Sequence, residues 1–198
     1  MGLLLQKAKE LTKKPLDKDE IRFKNGNTED IIELVRYGDS EAAKARFLKE
    51  FAPLLKGKTP FETCRNVYNF VRNELKYVAD VRGYERVRLP NKAIWDAYRY
   101  DNGGDCKTFF VITSDLLREL SIKCKCRFIS QNFIKKARHV YAVAILENGQ
   151  EVPCDAVFHT FNQNPFWVYK WDFDTATLSN SDSVNGLNTE GYKNYTIF

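Results

Sequence analysis

The sequence predicts an α+β fold in which helices come first and a last helix leads into an antiparallel sheet. Three observations predict it. Apolar residues recur at helical spacing in residues 59–75, and they do so again in residues 106–120, directly after a Gly-Gly-Asp sequence. From residue 122 onward the apolar period changes to two, which is typical of half-buried strands.

The composition is that of a globular protein with a large apolar core. The chain has 198 residues, of which 43% are hydrophobic, including 14 Phe and 10 Tyr. This length suits one domain, or one domain with appendages. The net charge of +5 is mild, and basic residues alternate with acidic ones. We therefore expect a solvated charged surface and no nucleic-acid partner.

The first residues and the cysteines predict a cytoplasmic protein without a membrane partner. The first apolar run is too short for a secretory signal, and Gln6 stands where a myristoylation signal has Ser or Thr. No run approaches the roughly 18 apolar residues of a membrane span. The five cysteines are odd in number and lie in patterned segments, so we expect reduced thiols.

Three helices are predicted in residues 1–58. The second begins near residue 28 and ends at Gly38, a common residue just after a helix. The third is kinked or broken by Pro53. None of these helices carries an obvious chemical group, so we regard residues 1–58 as a helical N-terminal segment.

Two further helices have clearer N-terminal signals. Thr59 is an N-cap for the fourth helix, and Glu62 is the acid of a capping box. Asp105 is an N-cap for the fifth, which begins at Cys106. The chain between these two helices, from residue 77 to residue 100, has no regular apolar pattern.

The sheet is predicted from residues 122–158. One strand covers residues 122–130, and two more form a hairpin around the sequence Glu-Asn-Gly at 147–149. Residues 59–158 are thus the predicted core. The last segment, 159–198, is rich in aromatic residues but not periodic, so we expect an extended C-terminal arm that docks on its own domain, on a partner or on another copy of the chain.

The placement of Cys106 at a helix entrance predicts a nucleophile. A free cysteine is only a few per cent thiolate at about pH 7. Unpaired N–H groups and the helix dipole at the N-terminus favour the anion, and glycines just before it leave room for a substrate. The backbone N–H of Cys106 can also stabilise the oxyanion formed when a thiolate attacks a carbonyl.

A thiolate needs a base, and the sequence offers His139 and His159. His139 begins the first hairpin strand. If residues 147–149 form a type I turn with a glycine bulge, Asp155 lies opposite Tyr141, on the face of His139 and one diagonal step away. Such neighbours are about 7–8 Å apart at Cα. A two-residue turn would instead place Asp155 on the other face.

Other interpretations of these residues stay open at this point. Cys106 can be a small residue that fills a tight helix start, His139 a strand-edge residue and Asp155 a surface acid. We expect His159 to be structural. Three further cysteines, together with a histidine, can be interpreted as a zinc site, although the spacing is unusual for zinc: Cys124, Cys126 and Cys154.

These motifs resemble the transglutaminase-like superfamily, which has a papain-like arrangement. The resemblance rests on "GDCKTFFVITSDLLRELSI", on "HVYAVAILENGQEVPCD" and on the preceding helix "PFETCRNVYNFVRNELKY", and it covers about residues 59–158. It implies Cys106 as nucleophile, His139 as base and Asp155 as the residue that orients the base. The chain departs from the family where His-Ala-Trp is common, because it has His-Val-Tyr at 139–141.

The resemblance implies acyl transfer on an amide or isopeptide bond of a protein or peptide substrate, without a cofactor, and with hydrolysis before crosslinking. It also implies a second oxyanion donor upstream of the cysteine, for which Trp95, Tyr98 and Tyr77 are candidates. A weaker similarity to transglutaminase-like proteins of phage gene clusters adds a second hypothesis. The chain would then be a structural or interaction protein, such as a virion component in the host cytoplasm, with an inactive site.

Overall fold

The computed structural model describes residues 2–24 and 27–176, which form helices packed against antiparallel strands. The α-helices are α1 (Leu3–Leu11), α2 (Thr28–Ala45), α3 (Pro60–Glu74), α4 (Pro90–Tyr100) and α5 (Cys106–Glu119). The strands are β1 (Glu20–Lys24), β2 (Tyr84–Arg88), β3 (Lys123–Ser130), β4 (His139–Ile145), β5 (Glu151–Cys154) and β6 (Tyr169–Asp174). Short 3₁₀ turns cover Asp17–Asp19 and Ala52–Leu55. The predicted α+β class is confirmed.

Helix α5 is the centre of the molecule. It packs against β3 and β4 of the sheet and against α2, α3 and α4, and its residues 107–118 are all buried. Because neighbours surround this helix, its N-terminal residue Cys106 is held in a defined place relative to the sheet. Among the described residues, no helix combines the length and the apolar character needed to cross a lipid bilayer.

The main sheet is antiparallel, with the strand order β5-β4-β3-β6. Its even-numbered residues in β3 and β4 face the main core, as Phe128 and Ala142 do. Its other face is also partly covered, by a smaller cluster around Tyr141. Arg127 is buried on this face although the alternation predicts a solvated residue. Its guanidinium donates to Asp172 at 2.7 Å, and this pairing offsets the cost of burying the charge.

A second, two-stranded sheet lies outside the sequence prediction. Strands β1 and β2 pair in antiparallel fashion, with Glu20 opposite Arg88. The prediction missed β1 because its alternating charges were interpreted as surface, and β2 because residues 77–100 have no regular apolar pattern. The same region contains α4.

The prediction that a helix ends at Gly38 is wrong. Helix α2 continues through this residue to Ala45, and Arg46 ends it in the left-handed conformation. Gly38 is needed for packing instead, because a Cβ there would lie 2.6 Å from Cγ1 of Val87. The glycine therefore lets β2 approach the middle of α2.

The beginning of the expected C-terminal arm is part of the sheet. Residues 169–174 form β6, which pairs with β3 from Ser130–Tyr169 to Lys125–Asp174. Alternate residues of β6 are half-buried and exposed, so the strand has a period of two that the density of aromatic residues obscured. The rest of the expected arm, from residue 177 onward, lies outside the described residues.

Candidate active site

Cys106 is the first residue of α5, as predicted, and it is partly exposed. The side chain of Asp105 caps the helix, since its Oδ1 accepts hydrogen bonds from the N–H groups of Lys107 at 3.1 Å and Thr108 at 3.4 Å. The N–H of Cys106 itself points out of the first turn without an intrahelical acceptor. The thiol of Cys106 and its own backbone N–H donor therefore lie together at the start of α5.

The two glycines before the cysteine place this helix start against the chain that follows α3. The N–H of Gly103 donates to the carbonyl of Lys76, and the N–H of Val78 donates to the carbonyl of Gly104, both at 2.8 Å. Gly104 has a φ of +98°, which favours glycine. A Cβ at Gly103 would lie 2.8 Å from Cβ of Leu75. The close approach brings Tyr77 beside the start of α5.

The hairpin register that brings His139 and Asp155 together is confirmed. Ala142 pairs with Cys154, so Asp155 follows opposite Tyr141, and Gly149 has a φ of +80° as the glycine bulge requires. The Nε2 atom of His139 lies 2.6 Å from Oδ2 of Asp155. Asp155 is buried, and its Oδ1 accepts from the N–H of Val157 at 3.1 Å.

Cys106 lies beside this pair, since its side chain and that of His139 line the same cavity. Burial disfavours the charged ring, but Asp155 and Cys106 favour it more strongly and raise the pKa of His139 to about 10. The imidazolium is therefore the stable form at neutral pH. A cysteine beside an imidazole is the arrangement that thiol nucleophiles use.

Two residues that the sequence prediction missed support the imidazole. Tyr141 stacks on His139, with ring centroids 5.7 Å apart, and its hydroxyl donates to Asn164 Oδ1 at 2.9 Å. Residues 139 and 141 share one face of β4, so the strand period was a signal that could have found the stacking partner. Asn164 comes from a distant loop, and no sequence spacing indicates it.

A third missed residue, Arg72 of α3, fixes the loop that follows Asp155. Its Nη1 donates to the carbonyls of Ala156 and Val157, each at 3.1 Å, and its Nη2 lies 2.5 Å from Nδ1 of His159. His159 is thus part of a loop anchor, as expected of a structural histidine.

A charged cluster flanks Cys106. The ammonium of Lys107 contacts the carboxylates of Asp80 at 3.2 Å, Glu85 at 2.7 Å and Asp105. Burial raises the pKa of Asp105 to about 6, although Lys107 acts in the opposite direction. These three acids are the kind of group that binds divalent cations, with ligand atoms within 4.8 Å of one another. Here the lysine supplies the compensating positive charge.

The cysteines that suggested zinc do not form a cluster. In the part of the chain that the structure describes, the one group of three or more ligand-type side chains within 4.8 Å is the acidic group beside Cys106. Cys126 and Cys154 are buried against the apolar core. Burial raises the pKa of Cys124 to about 11, which disfavours the thiolate that a metal requires.

A cavity of about 210 Å³ opens at Cys106 and His139. Its apolar wall includes Ile31 and Phe128, and its polar wall comes from Lys136 and Arg138 and from the charged cluster. The full set of lining residues is Ile31, Glu85, Cys106, Lys107, Phe128, Lys136, Ala137, Arg138, His139 and Val140.

The structure separates the three candidate oxyanion donors. Trp95 and Tyr98 lie on α4, where Lys9 of α1 sits over their rings at 5.5 and 5.2 Å from the centroids. Tyr77 packs edge-on against Phe109 at 5.8 Å. Burial and the negative charge of Cys106 raise the pKa of Tyr77 to about 12, so its phenol is a hydrogen-bond donor at neutral pH.

Comparisons with known proteins give little that bears on this site. No protein-family profile matches the chain, and no curated protein matches it. One solved structure that resembles it is that of a proposed cysteine protease from Cytophaga hutchinsonii, with a TM-score of 0.41 and 20% sequence identity. The match covers 64% of this chain, and the chain spans 42% of the length of that protein.

Proposed function

We propose that this protein belongs to the transglutaminase-like superfamily and catalyses cysteine-dependent acyl transfer on an amide or isopeptide bond of a protein or peptide. The observation that carries the proposal is the His139–Asp155 pair, at 2.6 Å, beside Cys106 in the lining of one cavity. Hydrolysis is the first candidate reaction, and transfer to an amine is the variant.

In the proposed reaction the thiolate of Cys106 attacks the carbonyl carbon and forms a tetrahedral oxyanion. The N–H of Cys106 and the hydroxyl of Tyr77 stabilise its negative charge. His139 then gives its proton to the nitrogen, the C–N bond breaks, and the amine leaves. A thioester remains on the sulfur.

The second half of the reaction restores the site. Neutral His139 takes a proton from water while the water oxygen attacks the thioester carbonyl, and the C–S bond breaks to release a carboxylic acid. The products are one amine and one acid for each amide and water consumed. Asp155 does not change its charge in this scheme. It orients the ring and favours the imidazolium.

The pH dependence of alkylation by iodoacetamide tests the nucleophile. Mass spectrometry distinguishes Cys106 from the other four cysteines. In the wild type we expect Cys106 to be labelled faster near neutral pH than the other four cysteines, because an imidazole lies beside it. In His139→Ala this rate should fall. Identical profiles would contradict the proposal.

A Cys106→Ala variant separates an enzyme from a virion or scaffold protein with the same fold. An enzyme loses turnover while its thermal unfolding stays close to that of the wild type. If the wild type shows no labelling of Cys106 above that of the other cysteines, and the variant assembles as the wild type does, the structural role is the better account. Incorporation of ¹⁸O from labelled water into the product distinguishes hydrolysis from amine transfer.

A further inference from the structure

The loop between β3 and β4 forms one wall of the cavity at Cys106. It covers residues 131–138, and its residues 136–138 line the cavity directly before His139. The Oγ of Ser130 donates to the carbonyl of Ile134 at 2.8 Å, and the N–H of Arg138 donates to the carbonyl of Ile129 at 2.9 Å. Ala137 is buried in the main core. Two hydrogen bonds therefore tie the loop to the end of β3, and Ala137 ties it to the core just before β4.

The side chains of this wall are cationic and uncompensated. Lys136 and Arg138 are exposed, and among residues 2–24 and 27–176 neither forms an ion pair. The other charged residues of the cavity are already paired. Lys107 and Glu85 bind each other at 2.7 Å, and His139 binds Asp155. Among the residues that line the cavity, two lysines and one arginine thus face a single glutamate, and the two unpaired cations lie on one wall.

A buried cation in the same sheet is paired, in contrast to the two cations of this wall. Arg127, in β3 and four residues before the loop begins, is held by Asp172 at 2.7 Å and by Glu151 at 2.9 Å. Acids thus pair with the structural arginine, whereas among the described residues none pairs with Lys136 or Arg138. A guanidinium and an ammonium at the mouth of a small cavity attract a carboxylate and orient it by charge-assisted hydrogen bonds.

We infer that Lys136 and Arg138 form a carboxylate-binding subsite, so that the preferred substrate is a peptide segment with an acidic residue next to the bond that is cleaved. The inference rests on the proposed function and adds the class of substrate. The same loop exposes the apolar side chains of Phe133 and Ile134, which favour a peptide over a small acid.

Matched covalent probes test the subsite without knowledge of the natural substrate. One pair is acetyl-Gly-Glu-chloromethyl ketone and its Gln counterpart, which place the acid on the acyl side. The other pair is chloroacetyl-Glu-Gly-amide and its Gln counterpart, which place it on the leaving-group side. In every probe the thiolate forms a C–S bond as the C–Cl bond breaks and chloride leaves. The members of a pair differ in charge and hardly in shape.

We expect wild-type Cys106 to react about fivefold to thirtyfold faster with the Glu member of at least one pair, as one or two partly exposed ion pairs allow. In the double variant Lys136→Gln, Arg138→Gln this ratio should fall toward one. Lys49→Gln, Lys123→Gln removes the same net charge at exposed positions outside the cavity lining, and it should keep the wild-type ratio. Salt at about 1 M, where the Debye length is about 3 Å, should lower the ratio in the wild type.

The outcomes separate the subsite from the catalytic proposal. A ratio near one for both pairs in the wild type, or an equal ratio in the cavity double variant, overturns the subsite. If labelling by neutral iodoacetamide still depends on His139 in that case, the proposed reaction stands alone. If neutral labelling does not depend on His139, the proposed reaction fails whatever the ratio is. Circular dichroism of each variant verifies that it is folded.

Discussion

At the scale of single residues, the site depends on the protonation of His139, which two neighbouring residues favour. Asp155 accepts a hydrogen bond from Nε2 of His139, which leaves Nδ1 as the nitrogen available to Cys106. Burial alone would make the ring neutral. The opposite result follows because both Asp155 and Cys106 favour the charged ring.

The titration of His139 is directly measurable. Since the chain has two histidines, NMR of the imidazole groups gives two titration curves, and His159→Gln assigns them. We expect a midpoint of about 10 for His139, against an ordinary value of about 6.5. A midpoint near the ordinary value would contradict the ion pair. In Cys106→Ala the midpoint should fall, because one of the two partners is removed.

The same shift predicts how stability depends on pH. A folded-state pKa above the unfolded value stabilises the protein below about pH 6.5, and the stabilisation is lost as the pH rises toward 10. The free energy of unfolding of the wild type, measured in urea, should therefore exceed that of His139→Gln by the largest amount near pH 6. The difference should shrink by pH 10. A constant difference across this range would show that the proton is not the cause.

Tyr77 is the residue whose proposed role has the most specific test. In Tyr77→Phe we expect kcat for hydrolysis of a p-nitrophenyl ester to fall by about 10²–10³, because one oxyanion donor is lost. Alkylation of Cys106 by iodoacetamide should not change, since that reaction forms no oxyanion. Tyr98→Phe is the matched control, because Tyr98 contacts Lys9 instead. An equal fall in kcat in both variants would indicate that the phenol groups act through packing and not through the oxyanion.

At the scale of elements, the helix entrance depends on glycines that permit a close approach. Gly103 and Gly104 let the chain before α5 lie against residues 76–78. From the sequence, we expected these glycines to leave room for a substrate. The structure adds that they let the chain before α5 pack against residues 76–78, and this packing positions the sulfur of Cys106.

A pair of glycine variants separates backbone strain from steric overlap. Gly104→Ala places a Cβ 2.7 Å from Cβ of Thr108 at a φ of +98°. Gly149→Ala has a similar φ of +80° and nothing within 4 Å of the new Cβ. We expect the first to lower the free energy of unfolding by about 3 kcal/mol and the second by about 1 kcal/mol. Equal values in urea unfolding would mean that Thr108 gives way.

At the scale of the whole molecule, a buried ion pair joins the helices to the end of the sheet. The Nη2 of Arg118 lies 2.5 Å from Oδ1 of Asp39, which connects α5 to α2. The same two residues bind the backbone of Ala176, just after β6, at 3.0 Å from Arg118 Nε and 2.7 Å from Asp39 Oδ2. Residues from three distant parts of the chain thus share one polar network.

Removing one partner of this network should be costly. Arg118→Met leaves Asp39 buried and uncompensated, so we expect a loss of about 3–5 kcal/mol in the free energy of unfolding. The double variant Arg118→Met, Asp39→Asn should recover part of the loss. Hydrogen exchange should show weaker protection of β6 in the single variant. An additive double variant would argue against direct coupling of the two residues.

The sequence by itself determined the α+β order of elements, the start of α5 at Cys106 and the hairpin register of His139 and Asp155. These depend on local rules: an N-cap, a period of two and a glycine bulge fix neighbours that are close in the chain. Only the tertiary structure decided that Gly38 lies inside α2, that residues 169–174 join the sheet, and that Tyr77 rather than Trp95 or Tyr98 lies beside the thiol. Those outcomes depend on contacts between distant segments, which local spacing does not encode. The cationic wall belongs to the same class, because whether a surface lysine has a partner is settled by which acids the fold brings near it.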